Sequence, residues 1–183
     1  MRDKNKGFSL IELIVVIAVM TVLTLGITLA LSSVGNRKVT SAAETIKSQL
    51  IYTQNQAMSK TLAYGQIREN DEGMYVFVLT SGTGSKQRVS EKKLYASDTI
   101  EIYYKTNQDG AQSRGTKIDK QHPCNITFQK SSGSLEPMVE IGADNKISYQ
   151  TGVYIDNIMV TSKDGKEVTL KLFSKTGEIQ IEE

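Results

Sequence analysis

The stretch that most constrains this chain is an apolar run near its start. From Phe8 to Leu31, every residue is apolar, small or hydroxylated except Glu12. As a helix with a rise of about 1.5 Å per residue, the run would be roughly 36 Å long. A hydrocarbon core is about 30 Å thick, so the length predicts a membrane-crossing helix. The remaining residues are polar, dotted with Gly and Ser, and rich in strand-forming types. A membrane segment followed by one domain is therefore the expected plan for the 183 residues.

Charge gives the segment a direction. The chain holds 22 Lys and Arg against 20 Asp and Glu. Residues 1–7 carry Arg2, Lys4 and Lys6 against Asp3, so without them the two signs balance at 19 each. A basic leader before an apolar run is expected to stay in the cytoplasm, with the C-terminal domain outside. The neutral remainder exerts no bulk pull on nucleic acid, which is not expected as a partner. An ordinary secretory signal fits poorly, because its apolar region spans only about 7–15 residues. A plain signal anchor explains the length of the run but leaves Glu12 unexplained.

In a helix beginning near Phe8, positions 8 and 12 lie one turn apart on the same face. A carboxylate in mid-membrane costs on the order of 2.5–3.5 kcal/mol on insertion scales, and less near an interface. The positive end of the helix offsets part of that cost.

Residues 6–20, "KGFSLIELIVVIAVM", resemble the N-terminus of type IV prepilins and of the pseudopilins of type II secretion systems. The likeness lies in a short basic leader ending in Gly7, then Phe8, then Ser-Leu-Ile-Glu and a long apolar helix. It implies cleavage between Gly7 and Phe8 by a prepilin peptidase and N-methylation of Phe8. It also makes Glu12 the carboxylate needed for filament assembly. Cleavage would create an α-amine on Phe8 that Glu12, in the same or a neighbouring subunit, can pair with. Such a pair sets axial register between helices, as buried polar groups do in coiled coils. Other partners implied are further pilin or pseudopilin subunits, an inner-membrane assembly platform, and membrane lipid before assembly. The location implied is the bacterial cytoplasmic membrane, then a filament outside it. Many pilins carry a helix-breaking proline in the membrane half, and this chain has none there.

Beyond the apolar run, Val39, Ala42, Ala43, Ile46, Leu50, Thr53 and Ala57 follow helical spacing along one narrow face. A single helix over 8–60 is predicted, greasy all round over 8–31 and amphipathic over 32–60, with softening near Gly26 and Gly35. After residue 60 the period becomes that of strands. Candidates are 62–68, 74–80, 99–105, 125–129, 153–162, 167–173 and 178–182. Turns are expected at "NDEG" (70–73), "SGTGS" (81–85), "KDGK" (163–166) and "SKTGE" (174–178). The expected fold is α+β: a long N-terminal helix on an antiparallel β domain over 61–183, which the resemblance makes type IV pilin-like. Residues 51–70 and 168–181 are also similar to minor pseudopilins of the H type. The stretch from Thr106 to Pro123 lacks periodicity and reads as a flexible insertion, with a partner contact as the alternative.

Other motifs do not hold together. Cys124 is the lone cysteine, so it excludes an intramolecular disulfide and a multi-cysteine zinc site. His122 stands two residues before it, a pairing that can activate a thiol. No third orienting group is recognisable, and Cys124 is read as a buried small hydrophobe. Gly110 to Gly115 has P-loop spacing, but Thr116-Lys117 reverses the required order. Tyr75, Tyr103, Tyr104 and Tyr154 fall in strand patterns and are read as core or cross-strand pairs. No catalytic site, metal site or cofactor is expected. The function expected is that of a filament subunit rather than an enzyme. The alternatives are a DNA-uptake or adhesive pilin, with a local basic patch at "KQRVSEKK" (86–93), and a signal-anchored protein that never polymerises.

Overall fold

Among the described residues, one helix and eleven strands make up the fold, and the helix reaches both main sheets. The computed structural model describes residues 10–59, 63–82, 85–95, 100–141, 147–163 and 165–182. Helix α1 (Leu10–Ser59) is 50 residues long. It runs unbroken through Gly26 and Gly35, contrary to the softening expected there. A helical glycine costs only about 1 kcal/mol relative to alanine, too little to interrupt a helix of this length.

The amphipathic half behaves as its spacing predicts. Val39, Ala42, Ala43, Ile46, Leu50, Thr53 and Ala57 are all buried. Full burial of each larger side chain contributes about 1.5–3 kcal/mol. The Thr53 hydroxyl is kept from being a buried orphan by donating to the Gln49 carbonyl (2.7 Å).

The first sheet contains β1 (Ala63–Asn70), β2 (Gly73–Gly82), β3 (Ser85–Tyr95) and β6 (Cys124–Thr127), in the order β3-β2-β1-β6. The second contains β4 (Ile100–Thr106), β5 (Thr116–Lys117), β9 (Ile155–Ser162), β10 (Glu167–Leu172) and β11 (Ile179–Glu182), in the order β11-β10-β9-β4-β5. A small hairpin pairs β7 (Val139–Ile141) with β8 (Ile147–Tyr149). All described pairings are antiparallel. Helix α1 touches β1, β2, β3 and β6 of the first sheet and β9, β10 and β11 of the second. Its narrow face therefore joins the two sheets into one core, with Ile67, Val76, Ile102, Ile126, Ile158 and Leu170 buried around it.

Two glycines bring chain and helix close. A side chain at Gly65 would lie 3.1 Å from Leu50 Cδ2 and 3.2 Å from Thr53 Oγ1, so glycine lets β1 approach α1 there. Gly177 sits at φ +70° in the β10–β11 turn, where a Cβ would come 2.0 Å from the Gly133 carbonyl oxygen. Between these turns reaches Gln54 of α1, whose Nε2 donates to the carbonyls of Gly133 (2.7 Å) and Gly177 (3.2 Å). The β9–β10 hairpin forms where "KDGK" places it, with Gly165 at φ +87°. Asp164 lies outside the described residues.

Several elements depart from expectation. β3 was not anticipated, and residues 86–93 prove to lie within this edge strand rather than in a loop patch. Its charged residues are those that keep an exposed edge from pairing with other chains. The short strands β5, β7 and β8 were also not foreseen.

The stretch 106–123 is no plain insertion. β5 pairs with β4, Ile118 is fully buried, and the Ile118 amide donates to the Ile102 carbonyl (2.8 Å). Asp109 accepts from the Thr106 amide (2.7 Å) and hydroxyl (2.8 Å). Lys117 pairs with Glu101 (2.6 Å) and Lys120 with Asp71 (2.5 Å). The apolar period is missing because polar ties hold most of this segment, with Ile118 as its buried anchor.

Gly177→Ala should destabilise the protein by about 1–3 kcal/mol through backbone strain and clash. Gly152→Ala, also at positive φ but facing open space, should cost less. Urea denaturation of the full chain in detergent compares them, and equal costs would refute the close approach at Gly177. Acid acts on other contacts. The Thr106 amide and then its hydroxyl lower the pKa of Asp109, while Lys117 and then the Tyr103 hydroxyl lower that of Glu101. These contributions are present above the ordinary carboxylate range and are lost as pH falls through the depressed folded values. The urea midpoint should therefore drop below about pH 4, and Asp109→Asn should flatten part of that drop.

Candidate functional site

The N-terminal part of α1 contrasts with its buried part. Leu10, Ile11, Leu13, Ile14, Val15, Val16, Ile17, Val19 and Val22 are all exposed, at 48–76% of their surface. Apolar side chains project in every direction, so no single orientation against the sheets would cover them. Thr21 returns its hydroxyl to the Ile17 carbonyl (2.7 Å), so even this polar group is satisfied within the helix. That arrangement suits surroundings without water. Among the described residues, no helix is long and apolar enough to cross a membrane.

Glu12 stands in the first turn of α1 and is exposed. A carboxylate there complements the positive end of the helix. Gly7 and Phe8, the expected cleavage and methylation positions, lie outside the described residues.

The other candidate pair separates in space and chemistry. Cys124, in β6, is wholly buried, and burial pushes its thiol pKa up, away from the nucleophilic thiolate. His122 is exposed, and its Nδ1 lies 3.0 Å from Asp119 Oδ1. Among the described residues, no group of His, Cys, Asp and Glu is arranged to hold a metal ion. Of the four tyrosines expected in strands, Tyr75 and Tyr104 are buried, and Tyr75 stacks on Phe77 with centroids 5.8 Å apart. Tyr103 bonds to Glu101 (2.8 Å).

Residues 2–28 match the family pattern described as the prokaryotic N-terminal methylation motif. The chain carries the type IV prepilin signature. The match ends at residue 28, so it covers the leader and the apolar segment but not the β domain. No curated protein and no solved structure matches the chain. The prepilin motif implies processing by a prepilin peptidase and assembly with other pilins.

Sequence reasoning missed Gln54, which fastens α1 to two turns of the β domain. The only signal was its place beside Thr53 on the margin of the buried face. It also missed the pairing of Lys38 with Tyr95, whose ring centre lies 4.7 Å from the ammonium.

In the folded protein, Cys124 should resist alkylation at neutral pH and react only as the domain unfolds. Mass spectrometry of iodoacetamide-treated protein across a urea series measures this. Labelling well before the unfolding transition would contradict the buried thiol.

Proposed function

We propose that this chain is a non-enzymatic structural subunit of a type IV pilus or type II secretion pseudopilus. The observation that carries the reading is the junction of the prepilin motif at 2–28 with an α1 segment whose apolar residues are exposed on all sides. In this reading, residues 1–7 are a leader removed between Gly7 and Phe8, and Phe8 is then N-methylated. Residues 8–31 cross the cytoplasmic membrane, with the N-terminus inside and the β domain outside.

Assembly follows from the same chemistry. Apolar side chains lose little on exchanging lipid for neighbouring helices, because both surroundings exclude water. A carboxylate gains on that exchange if it meets an amine. The α-amine of Phe8, which exists only after cleavage, is the amine that Glu12 meets in this reading. Trimming therefore precedes register, and an unprocessed subunit lacks half of the pair. The buried half of α1 keeps the domain folded throughout.

N-terminal mass spectrometry of the mature protein tests the processing step, with methylated Phe8 as the expected terminus. A chain beginning at Met1, or at a site after Leu31, would sink the reading. Glu12→Ala should leave cleavage largely intact while lowering incorporation into sheared filaments by tenfold or more, at a cost of about 1.4 kcal/mol or above. Normal incorporation of that variant would remove the register role.

A further inference from the structure

The end of the β domain nearest the apolar segment carries a group of cations. Helix α1 runs from the apolar residues into the core at Val39. Because β1 returns antiparallel to α1, the turns and strand ends beside Val39 lie at this end. They are the β1–β2 turn, Tyr95 at the end of β3, and the β9–β10 turn. The pairing of Met74 with Tyr95 and of Ile100 with Ser162 places those strand ends together. Arg37 is exposed and shares a shallow recess with Thr40, Ser41, Glu44 and Lys166. Lys38 is held over the Tyr95 ring. Lys166 stands on a turn fixed by its own backbone: its carbonyl accepts from the Ser162 amide (2.9 Å), and its amide donates to the Ser162 hydroxyl (3.2 Å). Lys163, in the same turn, is exposed.

Part of the acidic charge at this end is engaged within the domain. Asp71 is paired with Lys120 and Asp119 with His122, while Glu72 accepts from the Tyr75 hydroxyl (2.9 Å). Glu44 in the recess and exposed Glu167, which follows Lys166, remain as partial counter-charges, and Asp164 of the turn lies outside the described residues. Among the described residues, neither Arg37 nor Lys166 forms an ion pair.

Distance supplies the partner. Arg37 follows the last residue of the apolar run, Leu31, by six positions, or about 9 Å of helix. The headgroup region adds about 5–8 Å on each side of the hydrocarbon core. Cations within about a Debye length, 8–10 Å, of an anionic lipid surface are attracted to it.

The geometry points to a second membrane contact: a basic shoulder of Arg37, Lys38, Lys163 and Lys166 that docks the β domain on anionic phospholipid headgroups. This rests on the membrane residence proposed above for residues 8–31. Docking orients the domain while the subunit awaits assembly, and it is given up when the apolar segment leaves the bilayer.

The test uses the full chain in vesicles of phosphatidylcholine, with or without phosphatidylglycerol, followed by amide hydrogen exchange over residues 162–168. Phosphatidylglycerol should slow exchange in this turn by roughly tenfold. High salt should abolish the slowing, as should the double substitution Arg37→Gln, Lys166→Gln. Equal exchange in both lipids, or slowing that survives the double substitution, overturns the proposal. So does slowing by inorganic phosphate in pure phosphatidylcholine, or slowing that follows protein-to-lipid ratio rather than lipid charge. Flotation with pure phosphatidylcholine vesicles separates the two readings. A chain that fails to float refutes the membrane segment, whereas one that floats without a lipid-charge effect refutes only the shoulder.

Discussion

Burial of one narrow face of α1 is the interaction on which the rest of the structure depends. The sheets do not simply rest on each other; the face from Val39 to Ala57 lies against strands of both. Small residues along it, Ala42, Ala43 and Ala57, let strands come close. Glycine at position 65 extends that closeness into β1, against Leu50 and Thr53. Gln54 then ties the margin of the face to the turns at Gly133 and Gly177 with two hydrogen bonds. The helix thus acts as a central core element and fixes where the C-terminal strands can lie.

The opposite end of the helix obeys another rule. Around Leu10–Val22 there is no apolar face to turn toward a sheet, because apolar side chains point all round. A water-soluble fold has no arrangement that covers such a rod with a domain at one end. One continuous helix therefore joins a half stabilised by its own domain to a half that needs other molecules. The prepilin signature falls on that second half.

What the sequence revealed follows the same division. The buried face of α1 was legible residue by residue, since helical period and apolar type coincide from Val39 to Ala57. Strands β4 and β10 and, in part, β1 and β11 were legible because buried and less buried side chains alternate along them, whereas β2, β6 and β9 were legible as short runs of apolar and β-branched residues buried on successive positions. β3 was hidden because its outer edge is charged, and much of its length reads as loop. β5, β7 and β8, two or three residues each, are too short to show a period. The 106–123 segment was misread because polar ties at Asp109, Lys117 and Lys120 do in three dimensions what apolar spacing does elsewhere. At the candidate site, Glu12 was conspicuous because a carboxylate is costly in apolar surroundings. Gln54 was not, because its partners are backbone carbonyls 79 and 123 residues away.

The absence of proline from the apolar half of α1 bears on how a subunit of this kind would change surroundings. A proline would remove a helical hydrogen bond and provide a bend. Here α1 is unbroken, and its first buried side chain among the described residues is Val39. Replacing lipid by protein around Leu10–Val22 would therefore, in the proposed assembly, disturb none of the contacts from Val39 onward. In the proposed assembly, the domain can travel as a folded body while its apolar lever exchanges one water-free environment for another. The folding free energy of the domain then takes little part in the transfer. The balance rests on side-chain packing along the apolar segment and on whether Glu12 finds an amine.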